Sequence, residues 1–400
     1  MIDLERILPL WRELETAGAE YVLATVVAVE GSSYRKPGAR MLLARDGRRA
    51  GTVSGGCLEA EVASRAWWLT SDGPVVARYS TAEDDGERPY GSGCGGVVFL
   101  LLERRQTAVP LLAALTAAFS ERMPLAIATV LDGPHIGERV FVSQKNVPPN
   151  APQMPGAASI RGISGEGVGD QGPLPASVHR DLEELANLAL DRCASIEREI
   201  QVEGVQTRVW ADYRPARPGL WIFGAGDDAK PLLHLARELG WFVAVADGRS
   251  HLATRDRFAE ADAVHVLPIG DLPDAAAAHL NLRSTDAAVA MTHSFDQDSR
   301  ILASLLALDA PPAYIGVLGP QRRTRELLSE AARLLGFPGT TDRVDRWQAQ
   351  MHAPTGLDLG AETPATIALS ILAEIQQVQA AATGLPLREV RAAKLEVTKR

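Results

Sequence analysis

Two of the three cysteines in this 400-residue chain stand among glycines. Cys57 follows Gly55 and Gly56 in GTVSGGCLEAEV, and Cys94 lies between Gly93 and Gly95 in GSGCGG. Glycine lets a ligand approach the backbone closely. The pattern after Gly56 reads as a helix from Cys57 to Trp68, and peptide N–H groups at a helix start favour a thiolate and hold anions. A small core cysteine beside turn glycines is the alternative at each position. Two such thiols in one chain favour the functional reading. Cys193, in ALDRCASIE, reads as a structural residue within a helix. The turn GSSYRKPGAR presents Ser33 and Arg35, with Ser32, Tyr34 and Lys36, either to an anion or simply to solvent. Glu59 and Glu61 read as first-turn helix acids and no more.

A second constellation lies further on. FGAGDDA places Gly224, Gly226 and Ala229 in the G-x-G-x-x-A pattern between a strand and a helix, as a dinucleotide loop requires. Asp247 ends the next strand, where an acid accepts from a ribose hydroxyl. Asp227 and Asp228 oppose this reading, because carboxylates repel a pyrophosphate. MTHSFDQD sets His293, Asp296 and Asp298 at a strand's C-terminal edge, where open α/β sheets bind ligands. For the two acids, a capped helix start is the simpler account. Arg322 and Arg323 follow Gly319 in the same way and suit an anion. No arranged base, nucleophile and orienter is evident, so no catalytic residue is assigned.

The elements that must position these residues fall into two domains. Residues 1–212 mix short strands, a hairpin at Asp46-Gly47 and several helices, an α+β pattern with a mixed sheet. Residues 144–176, rich in Gly, Pro and Ser, read as a mobile excursion within that domain. The stretch 213–217 is a linker. Residues 218–350 alternate apolar strands with helices, which predicts a parallel, Rossmann-like sheet. Residues 351–400 form a helical tail. Its Thr363-Pro364 reads as an N-cap and first helical residue, and its helix is a candidate for packing back on the first domain.

Composition narrows the function. Hydrophobic residues make up 46% and charged residues 23%, ordinary for a globular protein. The net charge is −9, and the one basic run is the terminal KLEVTKR, which argues against nucleic acid or an anionic membrane as partner. No leader pattern or membrane-length apolar run is present. An odd cysteine count makes no disulfide framework, and the cytoplasm is the expected compartment.

Taken together, GSSYRKPGARML, GTVSGGCLEAEV, GSGCGG, IFGAGDDA, MTHSFDQD, YIGVLG and GLDLGAETPATIALSILAEI resemble the XdhC/CoxI family, from about residue 20 to about 380. The resemblance implies an accessory protein for molybdenum hydroxylases of the xanthine dehydrogenase and CO dehydrogenase type. Such a protein binds the molybdenum pyranopterin cofactor, supports its sulfuration and hands it to the apo-enzyme, a chaperone more than an enzyme. It implies a hydroxylase client and a cysteine desulfurase as partners, with a homo-oligomer expected. Cys57 and Cys94, with Gly55, Gly56, Gly93, Gly95, Ser33 and Arg35, then become cofactor-binding candidates, and Cys57 a metal-ligand candidate because soft thiolates suit such metals. Gly224, Gly226, Ala229, Asp247 and His293 become candidates for a nucleotide. Many relatives carry His where this chain has Asp227. An NAD(P)-dependent oxidoreductase is the competing reading. A thiol redox enzyme is disfavoured by the lack of C-x-x-C.

Overall fold

The computed structural model describes residues 2–80, 96–133, 135–143, 174–267, 280–337, 339 and 341–390. The chain divides into two compact units, Met1–Arg217 and Pro218–Arg400.

The first unit contains two sheets whose described pairings are all antiparallel. One comprises β1 (Tyr21–Glu30), β2 (Arg40–Ala44), β3 (Arg49–Gly51), β4 (Val75–Ser80) and β5 (Val97–Arg104), in the order β3-β2-β1-β5-β4. The other comprises β6 (Leu125–Val130), β7 (Arg139–Ser143), β8 (Ile196–Val202) and β9 (Val205–Arg214), in the order β7-β6-β9-β8. Side chains alternate along a strand. Thus β1 sends Val22, Ala24 and Val26 toward helix α2 (Glu59–Leu69). It sends Tyr21 and Leu23 toward α1 (Ile2–Thr16) and α3 (Arg105–Ser120). Leu125, Ile127 and Phe141 of the second sheet join the same cluster, so α1 and α3 lie between the sheets. Helix α4 (Ala176–Asp191) covers the second sheet's other face. Two buried ion pairs stitch the sheets together: Arg40 to Asp212 at 2.7 Å, and Arg139 to Glu103. Removing one partner of such a pair strands a buried charge, at about 3–5 kcal/mol.

Two local expectations change. Helix α2 begins at Glu59, so Cys57 precedes it by two residues. Cys193 lies beyond α4, exposed, with φ +50°. The Cys193 and Ala194 amides donate to Leu190 and Ala189, a Schellman ending in which Cys193 takes the left-handed position usually given to glycine. The apolar run up to Leu190 hid that stop. Most of the 144–176 excursion, with Cys94, Gly93 and Gly95, lies outside the described residues, and Ala176 already begins α4.

The second unit is a parallel sheet of β10 (Gly219–Phe223), β11 (Phe242–Asp247), β12 (Ala263–Val266), β13 (Ala287–Ala290) and β14 (Tyr314–Val317). Its order is β12-β11-β10-β13-β14, so the winding reverses between β10 and β13. Both faces are buried, which is why its strands read as continuous apolar runs. Helices α5 (Ala229–Glu238) and α9 (Pro364–Gln379) cover one face. Helices α6 (Phe295–Leu306), α7 (Gln321–Leu334) and α8 (Thr341–Gln350) cover the other. The start of α9 is the cap read from the sequence: the Thr363 hydroxyl accepts from the Thr366 amide, the Thr366 hydroxyl accepts from the Thr363 amide, and Pro364 opens the helix. Helix α9 spends Ala368, Ile371, Leu372 and Ile375 on its own unit's core. Glu374 fastens it there, accepting from the Tyr314 hydroxyl at 2.6 Å and the Gly356 amide at 2.7 Å.

Candidate functional site

In the first unit the turn from Thr52 to Leu58 joins β3 to α2 and carries Cys57. The Glu59 side chain, buried at the head of α2, organises it. One carboxylate oxygen accepts from the Ser54 amide at 2.9 Å, the Val53 amide at 3.2 Å and the Thr52 hydroxyl; the other accepts from the Ser54 hydroxyl. The Ser54 oxygen in turn accepts from the Gly56 and Leu58 amides at 3.2 and 3.1 Å, and the Cys57 Sγ lies 3.6 Å from it. Burial pushes the Glu59 carboxyl up, but the hydrogen bonds from Ser54, Thr52 and the backbone together outweigh it and hold it below its ordinary range. Gly56 has φ +111°, and a Cβ there would meet nothing within 4 Å among the described residues. The turn is therefore rigid beneath and open above, with a half-buried thiol at its lip.

The neighbouring turn comes from Gly31–Gly38. The Tyr34 ring lies 3.7 Å from where a Gly55 Cβ would stand. Arg35 is close enough to Glu59 for that carboxylate to raise it, although burial is the larger effect and brings it down. A Cβ on Gly96 would overlap the Ser32 carbonyl oxygen, so the last residue of GSGCGG must be bare for β5 to enter beside this turn. Ser33, Arg35, Gly55, Gly56 and Cys57 thus occupy two adjoining turns.

In the second unit the glycine turn sits at the winding reversal. A Gly224 Cβ would stand 2.6 Å from the Met291 carbonyl oxygen, and φ there is +138°. That glycine is what lets β10 end against β13. A Gly226 Cβ would overlap only the Asp228 carboxylate. Ala229 is buried as the first residue of α5. Asp247, 0% exposed, accepts from the Ala225 amide at 2.8 Å and from the Arg249 amide and guanidinium at 2.7 to 2.9 Å. Burial raises its carboxyl, and the Arg249 and Ala225 donors outweigh that and lower it. The oxygens expected to take a ribose hydroxyl are engaged, and so is the Ala225 amide. Asp227 pairs with Lys230 and Arg257, and Asp228 with His293 Nε2 at 2.8 Å, so neither carboxylate stands unopposed over the turn. His293 has φ +63° and is exposed. Below it Asp298 is buried and accepts from Thr292 Oγ1 and Arg323 Nη2, each at 2.6 Å. Arg323 is thereby committed to the fold, whereas Arg322 pairs with Glu326 at the surface.

A family model described as the XdhC Rossmann domain matches residues 220–375, and one described as the XdhC and CoxI family matches residues 14–80. A Bacillus subtilis protein named as a probable xanthine dehydrogenase subunit is 30% identical over 363 residues, covering 90% of this chain and 93% of that one. This chain belongs to the XdhC/CoxI family. An Escherichia coli protein named molybdenum cofactor insertion chaperone PaoD is 35% identical over 120 residues, 28% of this chain and 34% of that protein. A solved Bacillus halodurans structure, described as a xanthine dehydrogenase, is similar with a TM-score of 0.65 at 27% identity, covering 94% of this chain and 96% of that one.

Within this XdhC/CoxI member the residues that hold the cysteine turn in shape, Thr52, Ser54 and Glu59, were not legible as such. Glu59 looked like any first-turn acid, and only its spacing from Ser54 hinted at more. Asp298 was read as a helix-start acid and Arg249 was not singled out; the contacts that reveal their roles, Arg323 to Asp298 and Arg249 to the Thr292 carbonyl, join residues distant in sequence. Among the described residues no three His, Cys, Asp or Glu side chains gather as a metal site, and no helix is long and apolar enough to cross a membrane.

Proposed function

We propose that this protein carries the molybdenum pyranopterin cofactor as cargo, supports its sulfuration and delivers it to a molybdenum hydroxylase of the xanthine dehydrogenase type in the cytoplasm. The observation that carries this reading is the Cys57 turn: a half-buried thiol on a loop pre-shaped by Glu59 and Ser54, open above Gly56. Among the described residues Cys57 brings the one thiol to this turn, a poor site for a bare ion. It suits a metal that brings its own dithiolene and oxo ligands, because one soft contact can be made and broken without dismantling the rest. Relationship to a protein named as an insertion chaperone supports the direction of transfer. A cysteine desulfurase would supply the sulfur. In the second unit Gly224, Gly226 and Ala229 lie between β10 and α5, and His293 follows β13 and meets Asp228, the arrangement that supports a nucleotide at this turn. A nucleotide would have to compete with the Asp247–Arg249 pair and with the bond Asp247 makes to the Ala225 amide. That weakens the NAD(P) oxidoreductase reading.

The test is reconstitution. Apo-hydroxylase is mixed with cofactor-loaded protein or with free cofactor, and hydroxylase activity is followed. The loaded protein is expected to activate at least tenfold better. Activation no better than free cofactor overturns the proposal.

A further inference from the structure

The first unit holds a cleft of about 280 Å³ between α1, α3 and the loop Tyr34–Arg40. Its walls divide by chemistry. Leu4 and Ile7 of α1 and Leu115 and Phe119 of α3 give it an apolar side. Arg35, Lys36, Arg40 and Arg214 line it as well, and among the described residues no Asp or Glu does. The acid behind it, Asp212, is shared between two guanidiniums, Arg40 Nη2 at 2.7 Å and Arg214 Nε at 2.8 Å. Arg40 is 5% exposed, and its Nε is buried without a hydrogen-bond partner. Lys36 is exposed and makes no ion pair among the described residues. Gly38, with φ +90°, is bare where a Cβ would overlap the Arg214 guanidinium, so the loop is built to let Arg214 lie across it.

Among the described residues, Lys36, Arg40 and Arg214 gather around a half-apolar cleft with one shared acid, Asp212, and leave an excess of positive charge that a bound anion would neutralise. Guanidinium groups match phosphate oxygens in geometry, and lysine adds a point charge. The volume lies at the small end of ligand clefts, which run from about 300 to 1,000 Å³. It suits one fused heterocycle with one phosphate and is too small for a dinucleotide. We propose that this cleft binds a heterocyclic phosphate monoester, with Arg35, Lys36 and Arg214 on the phosphate and the α1–α3 wall against the ring. The choice of natural ligand, the pterin monophosphate end of the cofactor, rests on the cargo reading above. Tyr34 lines the cleft and also lies against Gly55 of the cysteine turn, so the two sites share a wall.

The probe is the fluorescent pterin phosphate obtained by oxidising released cofactor, compared with the same pterin after phosphatase treatment and with guanosine monophosphate. The probe has lost its metal and dithiolene, so it reports on the cleft without the thiol. Fluorescence anisotropy with the full chain is expected to show the phosphorylated pterin bound at least tenfold tighter than the dephosphorylated form. Lys36→Glu is expected to remove most of that difference without moving the unfolding midpoint, and raised salt is expected to weaken binding in wild type. Equal binding of the two pterins, or an unchanged preference in Lys36→Glu, overturns the proposal. Tighter binding of guanosine monophosphate than of pterin phosphate keeps the phosphate monoester site and overturns the pterin assignment. Retention of intact cofactor is measured alongside. If intact cofactor is retained and the probe is not, the cleft proposal falls alone; if the probe binds and intact cofactor does not, the cargo reading falls alone.

Discussion

The carboxylate that shapes the cysteine turn is local: Glu59 lies five residues after Ser54, whose amide and hydroxyl it takes. The carboxylate that shapes the glycine turn of the second unit comes from the next strand: Asp247 lies 22 residues from Ala225. Glu59 receives its hydrogen bonds from uncharged donors, and among the described residues nothing lies within 4 Å of a Cβ built on Gly56. Asp247 is neutralised by Arg249, which also reaches the Thr292 carbonyl at 3.3 Å and ties the end of β11 to the end of β13. One turn is held from below and open on its working side. The other has its ligand-facing groups drawn into the fold. A glycine-rich turn ahead of a helix is thus not enough to define a ligand site. What decides is whether the backbone donors and the nearby acid are left free.

The comparison can be broken at its strongest point by exchanging glycines for alanine. Gly224→Ala sets a Cβ against the Met291 and Thr292 backbone at a φ that side chains rarely adopt, and is expected to cost about 3 kcal/mol or more. Gly56→Ala meets open space and carries only the backbone strain, about 1–2 kcal/mol. Gly226→Ala displaces one flexible carboxylate and should cost least of the three. Urea unfolding of the three variants checks this order, and a Gly56 cost equal to that of Gly224 would remove the distinction between an open turn and a closed one.

Removing the anchor of the first turn comes next. Glu59→Ala leaves the Ser54 and Val53 amides without their acceptor and is expected to cost about 2 kcal/mol. It is also expected to lower cofactor retention, because the thiol loses its fixed position. Stability lost with full retention would reduce Glu59 to a structural role.

Cys57→Ser should change stability by less than about 0.5 kcal/mol, since the thiol makes one weak contact, at 3.6 Å. Retention of cofactor is expected to fall at least tenfold, whereas Cys193→Ser, at an exposed helix end, should alter neither. Equal retention in both variants ends the thiol's role.

The smallest effect is in pH. Both anchors have lowered carboxyls, so each stabilises its turn fully above its ordinary value, about 4.5 for Glu59 and 3.8 for Asp247, and loses that contribution as pH falls through the lower folded value. Hydrogen exchange at the Ser54 and Ala225 amides should therefore show protection intact at pH 5 and declining as pH falls below those ordinary values. Loss of Ser54 protection already above pH 5 would contradict the assigned direction.

Much of the second unit could be read in the chain alone. Its apolar strands alternate with helices, and both faces of every strand but the edge strand β12 are largely buried, so the pattern and the fold carry the same information. The Thr363-Pro364 cap was legible because capping is chemistry between near neighbours. The first unit's strands and helices were legible for the same reason. Its stacking of two sheets about α1 and α3 was not, since that depends on which side of each sheet meets the other. That Cys57 follows Gly55 and Gly56 just ahead of a helix was legible in the glycine spacing; that the helix starts only at Glu59, leaving Cys57 half-buried on the turn, was not.

Near neighbours and periodicity determined, by themselves, the elements, the parallel order of the second sheet as a class, and the two glycine-flanked motifs. Only the tertiary structure decided which charged groups remain for a ligand. Asp247 and Arg323 looked available and are consumed by Arg249, Ala225 and Asp298. Glu59 looked incidental and holds the cysteine turn. Arg40 and Arg214 looked unremarkable and converge on Asp212 beside a cleft. Spacing along the chain reveals partners within a helical turn or a hairpin. The Arg40–Asp212 pair joins residues that meet only after both sheets of the first unit have packed, and although Arg249 stands two residues from Asp247, only the fold brings the Ala225 amide and the Thr292 carbonyl to that pair.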